Sequence, residues 1–251
     1  MSLKKEHEVR AYYQTLFRAW GEQHWWPARS RFEVIVGAFL TQNTAWTNVE
    51  RALRRLRAAG CLSLAGIRTV PLAELEGLIR SAGYFRQKAY RLKGFVAWLD
   101  RRYGGSLTRM FKQPTGKLRD ELLALHGIGP ETSDSILLYA GQHAAFVVDA
   151  YTRRIFERHG ILPTNARYEE IRDLVERALA RMRWEQPAAQ LRSGRSASHS
   201  PSPMSLAKRS PLAQVFNEMH GLIVGVGKYH CLKSKPKCDG CPLQMFLPSM
   251  K

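Results

Sequence analysis

The chain has 251 residues, with 39 Lys and Arg against 21 Asp and Glu, a formal charge of +18. Hydrophobic residues make up 45% and charged residues 24%, which excludes a wholly disordered chain and supplies apolar side chains for one large domain or two small ones. A positive excess of this size costs self-repulsion, and the commonest partner that offsets it is a phosphate backbone, so nucleic acid is expected.

Helical spacing begins at Val9, Tyr12, Tyr13, Leu16, Phe17 and Trp20, which share one helix face. Further helices are expected at 31–43, 46–58, 72–82, 86–103, 116–125, 131–141, 149–159, 167–182 and 211–226. Gly60, Gly83, Gly104, Gly127, Gly141 and Gly160 sit near their ends, as stop signals should. Apolar and polar residues nowhere alternate between hairpin turns, and no internal repeat is evident, so the fold class is all-α. From 185 to 212 the composition turns to Ser, Pro, Ala and Arg, too little apolar surface to offset ordering entropy, and a flexible insert is expected there. Residues 1–10 are polar and charged, without the apolar core of a signal peptide, and no run approaches a membrane span. A cytoplasmic, nucleoid-associated protein without membrane contact is therefore expected. In a reducing compartment the four cysteines are not a disulfide framework. Cys61 reads as a buried core thiol, whereas Cys231, Cys238 and Cys241 cluster.

The most informative stretch is Leu122–Ser133, where one helix runs into His126-Gly127-Ile128-Gly129 and another starts at Pro130. Two glycines permit a tight hairpin, Ile128 between them anchors it, and proline loses nothing at a first helical position. Such a turn offers backbone N–H groups to a phosphate, although an ordinary interhelix turn reads the same way. Downstream, the apolar Ala145-Phe146-Val147-Val148 leads to Asp149 and a helix from Ala150. With the hairpin, this pattern resembles the endonuclease III-like, helix-hairpin-helix (HhH-GPD) DNA glycosylase superfamily. The upstream block from Phe32 to Thr44 is similar to that family's early core helix and its Gln/Asn-bearing loop. The resemblance spans roughly residues 8–183 and 213–243.

The resemblance implies a two-lobed helical fold with a DNA cleft between the lobes. Residues 30–144 form one lobe, with the hairpin, and 1–29 plus 145–251 form the other, with the cysteine loop. The implied partner is double-stranded DNA carrying a damaged base, bound by a monomer. Asp149 takes the family's catalytic carboxylate position. A carboxylate there stabilises the positive charge that builds on the sugar as an N-glycosidic bond breaks, or activates water. An N-cap at the start of the next helix is the alternative role, and the two can coexist. Members that also nick DNA hold a lysine nucleophile at the position occupied here by Glu131, 18 residues before Asp149. A carboxylate forms no Schiff base, so this departure implies base removal without strand cleavage. Glu131 either faces the target base, favouring a cationic one, or complements the helix dipole.

Trp25-Trp26-Pro27 and Trp46, after the Gln42-Asn43-Thr44 loop, resemble the 3-methyladenine branch, which also carries Glu in place of the lysine. The resemblance places Trp25, Pro27 and Trp46, with Trp26 beside them, at a base pocket. An electron-rich slot holds a cationic alkylated purine by stacking and cation–π attraction. Core packing is the alternative for these indoles. Gln42 and Asn43 are candidates to fill the gap left by a flipped base, or to cap a helix end. Cys231-x6-Cys238-x2-Cys241 is similar to the family's [4Fe–4S] loop, but Leu247 stands where its fourth cysteine falls. A cluster on an incomplete cysteine set, a zinc ion completed by a histidine, and a metal-free loop all remain open. Other readings of the whole chain are a bifunctional glycosylase/AP lyase, a mismatch glycosylase, and a non-catalytic hairpin module.

Overall fold

The computed structural model describes residues 3–182 and 198–248. Every regular element among them is helical, as expected. Two compact units divide the chain: Ala28–Gly141 is continuous, and Met1–Pro27 combines with Gln142–Lys251. The discontinuous unit opens with α1 (Leu3–Trp20). The continuous unit carries α2 (Arg31–Thr41), α3 (Trp46–Ala58), α4 (Leu64–Thr69), α5 (Leu72–Leu78), α6 (Phe85–Tyr103), α7 (Leu107–Phe111), α8 (Thr115–Leu123) and α9 (Pro130–Ser135). The chain then returns to the first unit with α10 (Ala150–Arg158), α11 (Tyr168–Leu179) and α12 (Pro211–Tyr229). No helix among the described residues is long and apolar enough to cross a membrane.

Helix α2 is the centre of the continuous unit. Phe32 through Leu40 are all buried, because α3, α6 and α9 pack around it. Its start is fixed locally: the Ser30 hydroxyl accepts the Glu33 amide at 3.2 Å. The buried Glu33 carboxylate pairs with Arg57 at 2.6 Å and accepts the Arg29 amide. The helix expected over 131–141 divides into α9 and a wider π-helical turn, Ile136–Ala140, whose side chains are all buried. The short α4 and α7 fall outside the expected elements; each starts on a serine cap, Ser63 and Ser106.

In the discontinuous unit α12 is central and packs on α1, α10 and α11. It is buried almost without interruption from Val215 to Gly227. Of the segment expected to be flexible, 185–197 lies outside the described residues. The part that follows is bonded to its unit: the His199 amide donates to Gln23 O at 3.0 Å, and the hydroxyls of Ser198 and Ser202 donate to Glu22 O and Trp26 O. Arg209 ties the end of this stretch down by donating to the carbonyls of Met204, Ser205 and Ala207.

Candidate functional site

In the continuous unit the hairpin is closed by side chains from two other elements. Gly127 takes φ +81°, a left-handed conformation, and a Cβ there would meet Arg91 Nε at 2.0 Å. Arg91, on α6, reaches over that glycine to donate to Gln42 Oε1 at 2.9 Å. Gln42 Nε2 in turn donates to Gly127 O and to the Thr132 hydroxyl, both at 2.9 Å. Both ends of the Gln42 amide are thus bonded into the hairpin. Asn43, exposed and at φ +50°, is the residue of that pair that faces outward. Ile128 is buried and anchors the turn, while His126 and Gly129 are exposed. Gly129 has φ −94°, and a Cβ on it would meet nothing within 4 Å. Beside the hairpin lies an open groove of about 380 Å³ lined by Tyr90, Arg91, Trp98, Arg101, His126 and Ile128. Glu131 is exposed in the first turn of α9. Trp46, half-buried at the start of α3, donates its indole N–H to Glu50 at 2.9 Å.

Two bonded groups in this unit carry no signal in the sequence. Asp134 is fully buried and receives a bidentate pair from Arg119 at 2.7 and 3.2 Å, joining α8 to α9 across the hairpin. Lys88 Nζ is buried and donates to Leu40 O, Ala82 O and the Thr44 hydroxyl. Burial, with Arg91 adding repulsion, pushes its ammonium down to about 8. This lysine pins the end of α2 to the loop before α6, where Tyr84 stands exposed at φ 44°.

The discontinuous unit positions Asp149. Buried Phe146 and Val148 hold the approach through their amides, which donate to Glu176 and the Tyr168 hydroxyl. Asp149 caps α10: its Oδ1 accepts the Thr152 amide at 2.8 Å and the Thr152 hydroxyl at 2.9 Å. Its Oδ2 lies 3.6 Å from His220 Nε2, on α12. The carboxylate keeps 14% side-chain exposure, so it caps the helix while remaining open to solvent. Trp25 and Trp26 are both buried and Pro27 is half-buried. The Trp25 ring lies 5.9 Å from the His220 ring and 5.3 Å from that of His199. Its indole N–H has no hydrogen-bond partner among the described residues. Helix α12 holds this segment: the Asn217 amide donates to Trp25 O, and Glu218 accepts the Gln23 amide at 2.7 Å. Gly221 makes the approach feasible, since a Cβ there would lie 2.8 Å from Gln23 Cβ. Burial drives the Glu218 carboxyl up to about 7.

The cysteine loop follows α12. Arg154 and Arg158 of α10 hold it by donating to the carbonyls of Cys231, Leu232 and Lys233, and Arg158 reaches Cys231 Sγ at 3.3 Å. Cys231, Cys238 and Cys241 line one cavity of about 130 Å³, with His159, His230 and Leu247 also in its wall. Among the described residues no three His, Cys, Asp or Glu side chains converge as a single-ion site would require. Cys61 is buried, as expected.

The model of the HhH-GPD superfamily of base excision DNA repair proteins matches residues 36–181. A candidate DNA repair glycosylase of Methanocaldococcus jannaschii is 40% identical over 236 residues, 93% of each chain. The endonuclease III-like protein 1 of Bos taurus is 26% identical over 90% of this chain and 61% of its own length. Among solved structures, the 3-methyladenine DNA glycosylase MagIII of H. pylori, bound to 1,N6-ethenoadenine, superposes with a TM-score of 0.69 at 25% identity, covering 89% of this chain and 97% of its own. An endonuclease III–DNA complex superposes at 0.72 with 22% identity, over 96% and 94% of the two chains, a likeness of fold. The chain belongs to the HhH-GPD superfamily and is a DNA glycosylase of base excision repair.

Proposed function

We propose that this glycosylase is monofunctional: it flips an alkylated purine of the 3-methyladenine type out of double-stranded DNA and removes it by hydrolysis, leaving an abasic site. The observation that carries this reading is Glu131, a carboxylate where strand-nicking members of the resembled family hold an amine. With no lysine at that position to attack the sugar, water is the nucleophile. The N-glycosidic bond breaks with its electron pair leaving on the base. Water adds its hydroxyl to the sugar carbon and gives its proton to Asp149, whose charge also stabilises the oxocarbenium as it forms. An N3- or N7-alkylated purine is cationic and leaves readily, so the site has more need of selection than of acid catalysis. The family resemblance assigns Trp25, Pro27 and Trp46 as the flat surfaces for such a cation and Glu131 as a supporting negative charge. The Trp25 N–H, without a hydrogen-bond partner among the described residues, supports a pocket role as a donor for an acceptor on a bound base.

The hairpin grips the backbone. Gly129 supports this: its Cβ position is empty, so the fold does not require glycine there, but close approach of a phosphate does. Asn43, exposed and unlike Gln42 not committed to the hairpin, is assigned the gap left by the flipped base. We further assign Cys231, Cys238 and Cys241 to an iron–sulfur cluster. Three thiols in one cavity wall, at the spacing of the resembled family's cluster loop, support this reading, with the fourth position held by Leu247. Such a cluster would fix the loop that bears Lys233, Lys235 and Lys237. Iron and sulfide analysis of purified protein tests this, and zinc in place of iron overturns it.

The deciding experiment is mass identification of bases released from alkylated, oxidised, deaminated and mismatched duplexes, with borohydride trapping in parallel. Release of 3-methyladenine with no covalent protein–DNA product is expected. Covalent trapping, or release confined to oxidised pyrimidines, would sink the proposal. Asp149→Asn is expected to bind the duplex and release nothing.

A further inference from the structure

Asp149 has two carboxylate oxygens, and α10 uses one of them. Oδ1 receives both the Thr152 amide and the Thr152 hydroxyl, so it is committed to the helix cap. Oδ2 is the oxygen left for chemistry, and the side chain that faces it is His220 Nε2, at 3.6 Å. Nothing in the sequence motif marks this histidine, which comes from the middle of α12. Its ring is buried, with Trp25 at 5.9 Å and Phe146 at 6.4 Å between ring centres. Buried aromatic neighbours hold the imidazole in place and restrict its rotation.

We propose that His220 is the positioning residue of Asp149: its Nε2–H holds Oδ2, so that the carboxylate is fixed at both oxygens and keeps its charge. This rests on the glycosylase reading above. A carboxylate held only through Oδ1 swings about the cap, whereas one held at both oxygens presents a constant face. Oδ2 retains a second lone pair for the attacking water. The 3.6 Å separation is longer than a hydrogen bond, and separations of this kind commonly tighten when substrate binds. Burial lowers the imidazole's proton affinity, and the nearby Asp149 charge opposes that shift. At neutral pH the ring is therefore uncharged, a donor that leaves the full anionic charge of Asp149 for the sugar. The titratable groups near the pair are Tyr151 on α10, which feels the Asp149 charge, and His199, whose ring lies against that of Trp25. Arg154 stacks on Tyr151 from the same helix as that tyrosine. The histidine thus couples the tryptophan face to the reacting carboxylate, because one ring touches both.

The test compares the wild type with His220→Phe, which keeps a ring but no donor, and His220→Asn, which keeps a short N–H donor. Single-turnover base release is measured against pH, with duplex affinity and melting temperature measured alongside. For His220→Phe the rate is expected to fall roughly 10- to 100-fold with duplex affinity unchanged. The acid limb of its profile should move to higher pH, since a carboxylate that loses a donor binds its proton more tightly. His220→Asn should restore most of the rate and return the limb. An unmoved limb, or a His220→Phe rate equal to that of the wild type, overturns the proposal. A readout independent of activity is the imidazole Nε2 proton resonance, expected downfield in wild type and shifted upfield in Asp149→Asn. If that resonance is the same in both, the pairing is absent whatever the enzyme releases. If wild type releases no base from any duplex, the glycosylase substrate reading falls, and the resonance still decides whether His220 holds Asp149.

Discussion

Gly127 and Gly129 look interchangeable in the sequence, yet they have different work. Gly127 is required by the fold, because its φ of +81° and the Arg91 side chain above it exclude a Cβ. Gly129 has an ordinary backbone and open space beside it. Gly127→Ala should therefore cost about 1–3 kcal/mol of stability. Gly129→Ala should change stability by less than about 0.5 kcal/mol while weakening duplex binding. Urea unfolding and fluorescence anisotropy separate the two, and equal losses of stability would contradict the distinction. Glu218 carries a prediction of a different kind. Its folded pKa, about 7, lies above the ordinary carboxylate value of 4.5, so between those limits the folded state holds a proton that the unfolded state has lost. Stability must then fall as pH rises through that window and level off above it. Denaturation curves should show this decline in wild type and little of it in Glu218→Gln, which stays neutral. A wild-type curve that rises across the same window would refute the assignment.

At the scale of elements, the hairpin was legible and its bracing was not. The glycine spacing, the proline start and the apolar run to Asp149 are local patterns, and local patterns survive in a sequence. Arg119 and Asp134 are 15 residues apart on two helices, and no periodicity announces that they meet. Their pair is buried between α8 and α9, so removing one partner takes a bidentate contact away from a buried charge. Arg119→Met should cost about 3–5 kcal/mol, and adding Asp134→Leu should recover much of it. The double variant should also restore hydrogen-exchange protection of the hairpin amides; a second loss that adds to the first would show that the pair does not act as a unit. The same logic explains α4 and α7: six and five residues hold too few turns for an amphipathic pattern. The π turn escaped for the opposite reason. Its five residues are apolar all round, so no face marks where the hydrogen-bond register widens. Gln42 belongs here too. Its position after α2 suggested a role outward, but only the folded chain shows its amide spent on Gly127 and Thr132.

Over the whole molecule, composition alone pointed to a polyanionic partner, and the charge of +18 has a measurable consequence. Each phosphate neutralised by a Lys or Arg releases counterions, so the logarithm of affinity falls with the logarithm of salt at a slope near −0.9 per phosphate. Much of the basic charge is internal business. Arg154 and Arg158 are used on the cysteine loop, Arg119 on Asp134 and Arg209 on its own turn, so none of them adds to the slope. Lys233, Lys235 and Lys237 differ: all three are exposed, on a loop whose backbone α10 holds in place. A loop held in this way presents charge at little entropic cost, which suits these lysines to meeting a phosphate. Replacing all three with alanine should reduce the salt slope by about one unit for each phosphate that a lysine no longer neutralises. Base release at saturating enzyme should stay unchanged, because Asp149 and its neighbours are untouched. Affinity measured over a salt series checks this directly. A slope identical to wild type would mean that the loop serves the fold alone and that the duplex is held elsewhere.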